Sequence, residues 1–374
     1  MTSWPVALGL LAALVVMPAA AAFAPPSIAS PPSSPPMLLS WTPAEVRCDG
    51  VVIAGTPIRR PWNQLVSGSV RIPMPMTLDF AIDATGRPLS IVRQSAEFEP
   101  FRQDISAALA ASRFVAGAPR MKCSVSYVPH AEPLDSASID DLVSYSITPI
   151  SGRLPKQGWD RIRTNGTCGD NPRPRPLVRA FPDYREVPAT PGVRDWSLIS
   201  YDMNGEGRPF NLRVAHGTGN RALDGAALKA VRGSRFTPGA RTHCLYPYWR
   251  APARLEAPEK PEAESFRAAD AACAAKTEWT TRPKLVFPQS YRRRAIEGWA
   301  IVRYDLAPWG EVGNVKILAS EPTEDFGAQA MQIIRSGRAA PSPQGATGCV
   351  DTVRFSMPSD EGASVKEQAA EPEY

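Results

Sequence analysis

Six cysteines are the residues whose spacing most constrains the chemistry of this 374-residue chain. They stand as Cys48 and Cys123, Cys168 and Cys244, and Cys273 and Cys349, with separations of 75, 76 and 76 residues. Six thiols admit about fifteen pairings, and a period that keeps both partners at constant spacing selects one bridge per period. Each bridge closes a loop long enough to remove unfolded-state entropy worth roughly 4 kcal/mol. Metal binding is the rival use of such residues, and it fails on spacing. No Cys-x-x-Cys occurs, and His130, His216 and His243 lack ligand intervals, His243 beside Cys244 being the one adjacent pair. No metal is therefore expected, and bridges of this kind belong to an oxidising compartment.

Other residue types could serve catalysis or binding. Gly217-Thr218-Gly219-Asn220-Arg221-Ala222 fits the G-x-G-x-x-A dinucleotide pattern, between a predicted strand and a predicted helix. Residues 210–215, however, alternate like a half-exposed hairpin strand, not like a buried parallel one. The corresponding junctions at 95–99 and 320–324 have no glycine pair, which favours a plain turn with a helix start at Asn220. No G-x-S-x-G occurs, and no thiol is left over once six are paired. Asp79, Asp202 and Asp305 hold similar places in the first hairpin strands, where a surface position accounts for them. Glu324-Asp325 sit at a helix start, where the macrodipole accounts for acids. Nothing supplies a base or oxyanion donors beside these groups, so no catalytic residue and no cofactor are expected. A net charge of +5 is too diffuse to imply nucleic acid. Arg292-Arg293-Arg294 is the one dense basic cluster, read as a surface helix end or loop as readily as a binding patch.

The elements that must hold these residues repeat. Residues 300–306 alternate apolar and polar, Pro308-Trp309-Gly310 turns the chain, and 312–318 alternate again. Behind Thr323-Glu324-Asp325, the residues Phe326, Ala330, Ile333 and Ile334 recur at helical spacing, and a last strand is predicted over 350–356. The same order occupies 197–214, turning at Asn204-Gly205-Glu206-Gly207 before a helix with Leu223, Ala227 and Val231. It occurs again at 78–92, turning at Ala84-Thr85-Gly86 before a helix carrying Phe98, Phe101, Ile105 and Leu109. Self-similarity of this kind sets the architecture. The expectation is an α+β chain of three tandem small domains, each an antiparallel β-β-α-β sheet with a helix on one face and one internal disulfide.

The boundaries follow from composition. Residues 1–24 read as a signal peptide, with an apolar run over 4–24 that ends in small residues. No Lys or Arg precedes Arg47, and the run is also long enough for an uncleaved anchor, so both readings stand. Either way the remainder is exported. Residues 25–40 are a Pro/Ser-rich tether, 41–134 the first domain and 135–158 a linker whose 143–150 run is predicted to add a strand. Residues 159–250 form the second domain, 251–265 a charged, Pro-punctuated linker and 266–358 the third domain. The acidic tail at 359–374 has the composition of a disordered segment.

Residues 283–357 resemble the C-terminal domain of TonB-family proteins. The resemblance rests on Pro283-Lys284-Leu285-Val286-Phe287-Pro288, on Ala295-Ile296-Glu297-Gly298-Trp299-Ala300-Ile301-Val302, on the turn Gly310, on the strand at 312–320, and on Phe326, Ala330 and 338–341. Residues 193–238 are similar, ending in Arg235-Phe236-Thr237-Pro238, and 77–114 more distantly so. The resemblance implies a periplasmic domain that captures a short extended peptide from an outer-membrane transporter. Physically that is strand addition, in which an open sheet edge offers unpaired N–H and C=O groups. On that implication the partner-binding edge is Thr352, Val353, Arg354, Phe355, Ser356 and Met357, unless a neighbouring unit or the linker covers it.

The chain also departs from the family pattern. The family couples to an inner-membrane motor through Ser and His residues in its membrane helix, and residues 4–24 contain neither. The expected role is thus a periplasmic, non-enzymatic binder of periplasmic segments of outer-membrane proteins or transporters, multivalent through its three units and assisting TonB-dependent transport. A membrane-anchored energy transducer is the alternative, with the membrane as partner only if the N-terminal segment is retained. An exported nucleotide-binding enzyme is a further one.

Overall fold

The chain reverses at Gly86, Gly207 and Gly310, whose φ angles of 80°, 76° and 88° glycine alone reaches without strain. A Cβ at these positions would strike the carbonyl oxygens of Phe114, Phe236 and Ala339. The same three residues donate their N–H groups to the glycine carbonyls at 2.8, 3.0 and 2.9 Å. Each hairpin tip is therefore clipped to the segment that follows its helix.

The computed structural model describes residues 34–53, 57–95, 97, 100–274 and 277–358. The leader, most of the tether, the acidic tail and Phe98 lie outside the described residues. The first segment contains β1 (Pro36–Pro43), β2 (Arg47–Cys48), β3 (Val51–Val52), β4 (Gln64–Ser67), the hairpin β5 (Met76–Ile82) and β6 (Pro88–Arg93), α1 (Ile105–Ala110) and β7 (Arg120–Pro133). These strands form one sheet in the order β3-β2-β7-β1-β4, with β5 also on β7 and β6 on β5. Next come α2 (Ile139–Ile147) and α3 (Lys156–Ile162). The second segment has β8 (Pro176–Val178), β9 (Asp195–Met203), β10 (Pro209–Gly217), α4 (Arg221–Gly233), β11 (Arg235–Phe236) and β12 (Arg241–Arg250). The third has β13 (Trp279–Thr281), α5 (Gln289–Arg293), β14 (Gly298–Leu306), β15 (Val312–Glu321), α6 (Glu324–Arg335), β16 (Arg338–Ala339) and β17 (Ala346–Phe355).

The strand orders β6-β5-β7, β10-β9-β12 and β15-β14-β17 are one topology seen three times, with all pairs antiparallel. The three disulfides join Cys48 to Cys123, Cys168 to Cys244 and Cys273 to Cys349. Immediately before the second cysteine of each pair stands a residue of positive φ, Lys122, His243 or Gly348. Helix α4 buries Leu223, Ala227 and Val231, and α6 buries Phe326, Ala330, Ile333 and Ile334, as their spacing predicts.

Four expectations require correction. The tether does not run to residue 40: β1 starts at Pro36, and Leu38, Leu39 and Trp41 are buried. The 143–150 run is not a strand but most of α2, where Ser138 precedes a first turn holding Asp140 and Asp141. Val143, Tyr145 and Ile147 alternate as a strand would, whereas the buried pairs Leu142 with Tyr145 and Val143 with Ile147 follow the i,i+3 and i,i+4 spacing of a helix. Helix α1 begins only at Ile105, and Phe101 sits before it with φ 67°. The left-handed backbone at Phe101 interrupts the helical run, so of that stripe only Ile105 and Leu109 fall on α1.

Arg294 is the fourth correction, because it is neither a surface group nor part of a patch. It is 3 % exposed and ion-pairs with Asp104, equally buried, through Nε to Oδ1 at 2.9 Å. Its guanidinium lies 4.5 Å from the Trp62 ring centre and donates to the Arg60 and Gly192 carbonyls at 3.0 and 3.5 Å. One side chain thus ties all three segments together. The first and third segments also share a single core, in which Leu78, Ile91 and Ile105 join Tyr291, Ile296, Phe326 and Phe355. The second sheet is packed by α4 on one face and by α2 and α3 on the other.

Candidate functional site

Strand β17 ends the sheet order β15-β14-β17. On its inner side it pairs with β14 in the register Gly298↔Phe355, Ala300↔Val353 and Val302↔Asp351. On its outer side the isolated bridge between Ala272 and Thr347 covers only its start, with reciprocal bonds of 3.0 and 3.2 Å. Among the described residues no strand pairs with the outer edge from Thr352 onward. Alternation fixes which side chains are spent on the core. Val353 and Phe355 are buried, Thr352 and Met357 are half-buried, and Arg354 and Ser356 are exposed.

This edge is held rigidly from inside. Phe355 meets Phe326 at 5.0 Å and Phe287 at 5.7 Å between ring centres. Tyr304 donates its hydroxyl proton to Asp351 Oδ2 at 2.6 Å and lies 2.7 Å from Thr277 Oγ1. Burial pushes the Asp351 carboxyl above the usual carboxylate range, although the bond from Tyr304 opposes this. Met357 N donates to Glu297 Oε1 at 2.7 Å, which anchors the end of the strand. Across the opposite face of the sheet lie residues 257–266. The Trp299 indole donates to the Pro258 carbonyl at 3.0 Å, and Ala257, Ala263 and Phe266 pack on Trp299, Ile301 and Val350. A cleft of about 300 Å³ remains there, lined by Ala257, Pro258, Lys260, Gly298, Trp299, Arg354 and Ser356. The linker therefore covers the sheet face and leaves the edge from Thr352 onward open.

The corresponding edge of the first segment is filled by the chain itself. Strand β7 holds β5 on one side and β1 on the other, in antiparallel register from Met37↔Pro133 to Pro43↔Tyr127. Counted from the bridging cysteines Cys123 and Cys349, Tyr127 takes the place of Val353 and Pro129 that of Phe355. Residues 39–43 thus occupy, on β7, the position that is open on β17. The hairpin edge of the first segment is capped as well. Ile91 N donates to the Pro322 carbonyl at 3.0 Å, Ser90 N to Glu321 Oε2 at 2.7 Å, and Arg93 Nε to Glu324 Oε1 at 2.9 Å.

The remaining chemical candidates resolve into supports. In the glycine loop, Thr218 Oγ1 donates to Asp195 Oδ1 at 3.1 Å and Asn220 Nδ2 to Asp195 Oδ2 at 2.9 Å. Asn220 Oδ1 accepts from Leu223 N at 3.1 Å and so starts α4. The loop follows an antiparallel hairpin strand, and its polar side chains are spent on a buried aspartate. Asp202 and Asp305 are not idle surface groups. Each accepts the N–H of the positive-φ residue before its cysteine, His243 or Gly348, at 2.8 Å, and each also accepts from an amide, Asn211 or Asn314. The Asn211 and His243 bonds hold Asp202 below the usual carboxylate range, as the Gly348 and Asn314 bonds hold Asp305. Asp79 accepts from Gln94 Nε2 at 2.8 Å. Among the described residues no group of His, Cys, Asp or Glu is placed to hold a metal, and no helix is long and apolar enough to cross a membrane.

Sequence reasoning missed Lys260 and Trp299 as neighbours of the edge. The run Ala257-Pro258-Glu259-Lys260 reads as an ordinary charged linker, and distant partners, the Trp299 indole among them, fold it back over the sheet. Against known proteins, residues 283–358 match the family model described as the Gram-negative bacterial TonB protein C-terminal. No curated protein matches the chain.

Proposed function

We propose that this chain is a periplasmic, non-enzymatic protein of three TonB C-terminal-like units. It captures an extended partner segment by strand addition along Thr352, Val353, Arg354, Phe355, Ser356 and Met357. Its setting is TonB-dependent transport at the outer membrane, and its partners are periplasmic segments of outer-membrane proteins or transporters. The family match at residues 283–358 supports the setting, and the three disulfides suit an oxidising compartment.

The observation that carries the reading is β1. On the equivalent edge of the first segment, an extended stretch of this chain is already added antiparallel to β7. A backbone edge of this shape accepts a strand without catalytic groups, because main-chain hydrogen bonds supply the affinity. On β17 no strand among the described residues pairs with the corresponding edge from Thr352 onward. In-cell photo-crosslinking tests this, with a benzophenone amino acid placed at Ser356 in one strain and at exposed Arg335, on α6, in another. The expected adduct joins Ser356, and not Arg335, to the periplasmic segment of an outer-membrane transporter. Equal labelling from both positions, or none from Ser356, refutes the edge as the site.

A further inference from the structure

In the second segment, residues 172–181 are fixed along their backbone yet display side chains that the fold does not use. Arg241 Nη2 donates to the Pro172 carbonyl at 2.8 Å. Arg175 N donates to Thr237 Oγ1 at 3.1 Å, and Thr237 N donates back to the Arg175 carbonyl at 2.9 Å. Val178 of β8 pairs with Arg235, Ala180 N donates to Ser234 Oγ at 3.1 Å, and the Tyr248 hydroxyl donates to the Ala180 carbonyl at 3.2 Å. In spite of these ties, Leu177, Val178 and Phe181 are 64, 55 and 54 % exposed. Ahead of them, the side chains of Arg173 and Arg175 are exposed and make no hydrogen bond or ion pair among the described residues. Residues 171–181 hold three arginines and no Asp or Glu.

Beside this run opens a cleft of about 130 Å³, on which Arg163, Arg173, Arg179 and His243 converge. Tyr201 and Phe236 add aromatic lining, and among the described residues no Asp or Glu lines it. Arg179 is set in place by Tyr246, whose hydroxyl accepts from its Nη1 at 3.2 Å. Pro172, Pro174 and Pro176 remove every second N–H from the start of the run, which makes it a poor edge for strand addition. Apolar side chains held out beside unpaired arginines suit an interface that is anionic at its surface and apolar beneath. We infer that the second segment docks on an anionic phospholipid surface through residues 173–181. The cleft takes a headgroup phosphate, Arg173 and Arg175 supply charge at the headgroup level, and Leu177, Val178 and Phe181 reach the acyl boundary. This contact uses none of residues 352–357, so it stands or falls apart from strand capture. It also gives the chain a membrane contact that does not depend on residues 4–24.

The test places a benzophenone amino acid at Phe181 of the full chain and, in a second protein, at Phe210 on β10, which is exposed as well. Each is irradiated with vesicles of equal parts phosphatidylglycerol and phosphatidylcholine, and with vesicles of phosphatidylcholine alone. Both proteins carry the same N-terminal residues, so any attachment through those is common to them. The expected lipid adduct forms at Phe181 on the anionic vesicles, with little at Phe210 or on the neutral ones. Arg173→Gln/Arg175→Gln should lower it roughly tenfold or more at low salt, and added salt should lower it without any substitution. Arg292→Gln/Arg293→Gln removes as much charge from exposed positions elsewhere and should leave it unchanged. Equal adducts at Phe181 and Phe210, equal adducts on the two kinds of vesicle, or indifference to the Arg173 and Arg175 pair overturns the inference. If glycerol phosphate in solution abolishes the adduct, the cleft serves a soluble phosphate and membrane docking is wrong. Adducts in envelope extract to an acidic protein, with none to lipid, overturn it too.

Discussion

Replacing Arg294 by methionine should be among the most damaging single changes in this protein. Methionine fills much of the stem volume but deletes the guanidinium, which pairs with Asp104 through Nε at 2.9 Å and donates to the Arg60 carbonyl at 3.0 Å. Asp104 then keeps a single donor, Trp62 N at 2.8 Å, while remaining 3 % exposed. Breaking a buried pair from one side leaves an uncompensated charge, at a cost of about 3–5 kcal/mol. Because the pair joins residues of the first and third segments and reaches Gly192 of the second, the loss should appear as a lower urea midpoint for the whole transition. Arg293→Met is the control: that side chain is exposed, and its change should stay within about 0.5 kcal/mol. Asp104→Asn added to Arg294→Met removes the orphaned charge and should restore most of the loss. A midpoint for Arg294→Met within about 1 kcal/mol of wild type, or no recovery in the double variant, refutes the buried-charge reasoning.

Two further outcomes follow from the hairpins and the strand before each cysteine. Gly310→Ala forces a side chain into φ 88° and against the Ala339 carbonyl, which should cost about 2 kcal/mol or more. Gly205→Ala, with open space around it, should be nearly silent, and equal effects in thermal melts would dismiss the turn argument. Asp305 is held below the usual carboxylate range, chiefly by Gly348 N. Its folded value is depressed, so its contribution is present above the unfolded value of roughly 3.9 and is lost as pH falls through the folded one. Asp305→Asn should accordingly be less stable than wild type near neutral pH, with the gap closing in acid. A gap that stays constant across the titration would rule this linkage out.

Much of the fold was legible because it rests on local rules. The turn glycines, the apolar stripes of α4 and α6 and the constant cysteine spacing each depend on neighbours in sequence. What failed depended on partners far away. Val143, Tyr145 and Ile147 alternate as a strand would, and the packing of α2 on α3, Trp196 and Leu198, which also buries Leu142, chose the helix. The aspartates at 202 and 305 do lie near the surface, but their partners, His243 N and Gly348 N, stand about forty residues on, on another strand, out of reach of local reasoning. For the candidate site, a last strand was legible from its alternation, although β17 ends at Phe355 and Ser356 and Met357 lie beyond it, whereas the cleft built with Lys260 was not.

By itself the sequence determined the period, the three sulfur bridges and the hairpin-and-helix order, since these follow from residue spacing and backbone preference. Only the tertiary structure decided which sheet edges are occupied. Whether β1 lies on β7, whether residues 321–323 cap β6, and whether residues 257–266 cover a face of β14 and β17 while leaving an edge open are contests among non-local backbone and side-chain partners. Burial settles those contests, and no local pattern encodes them.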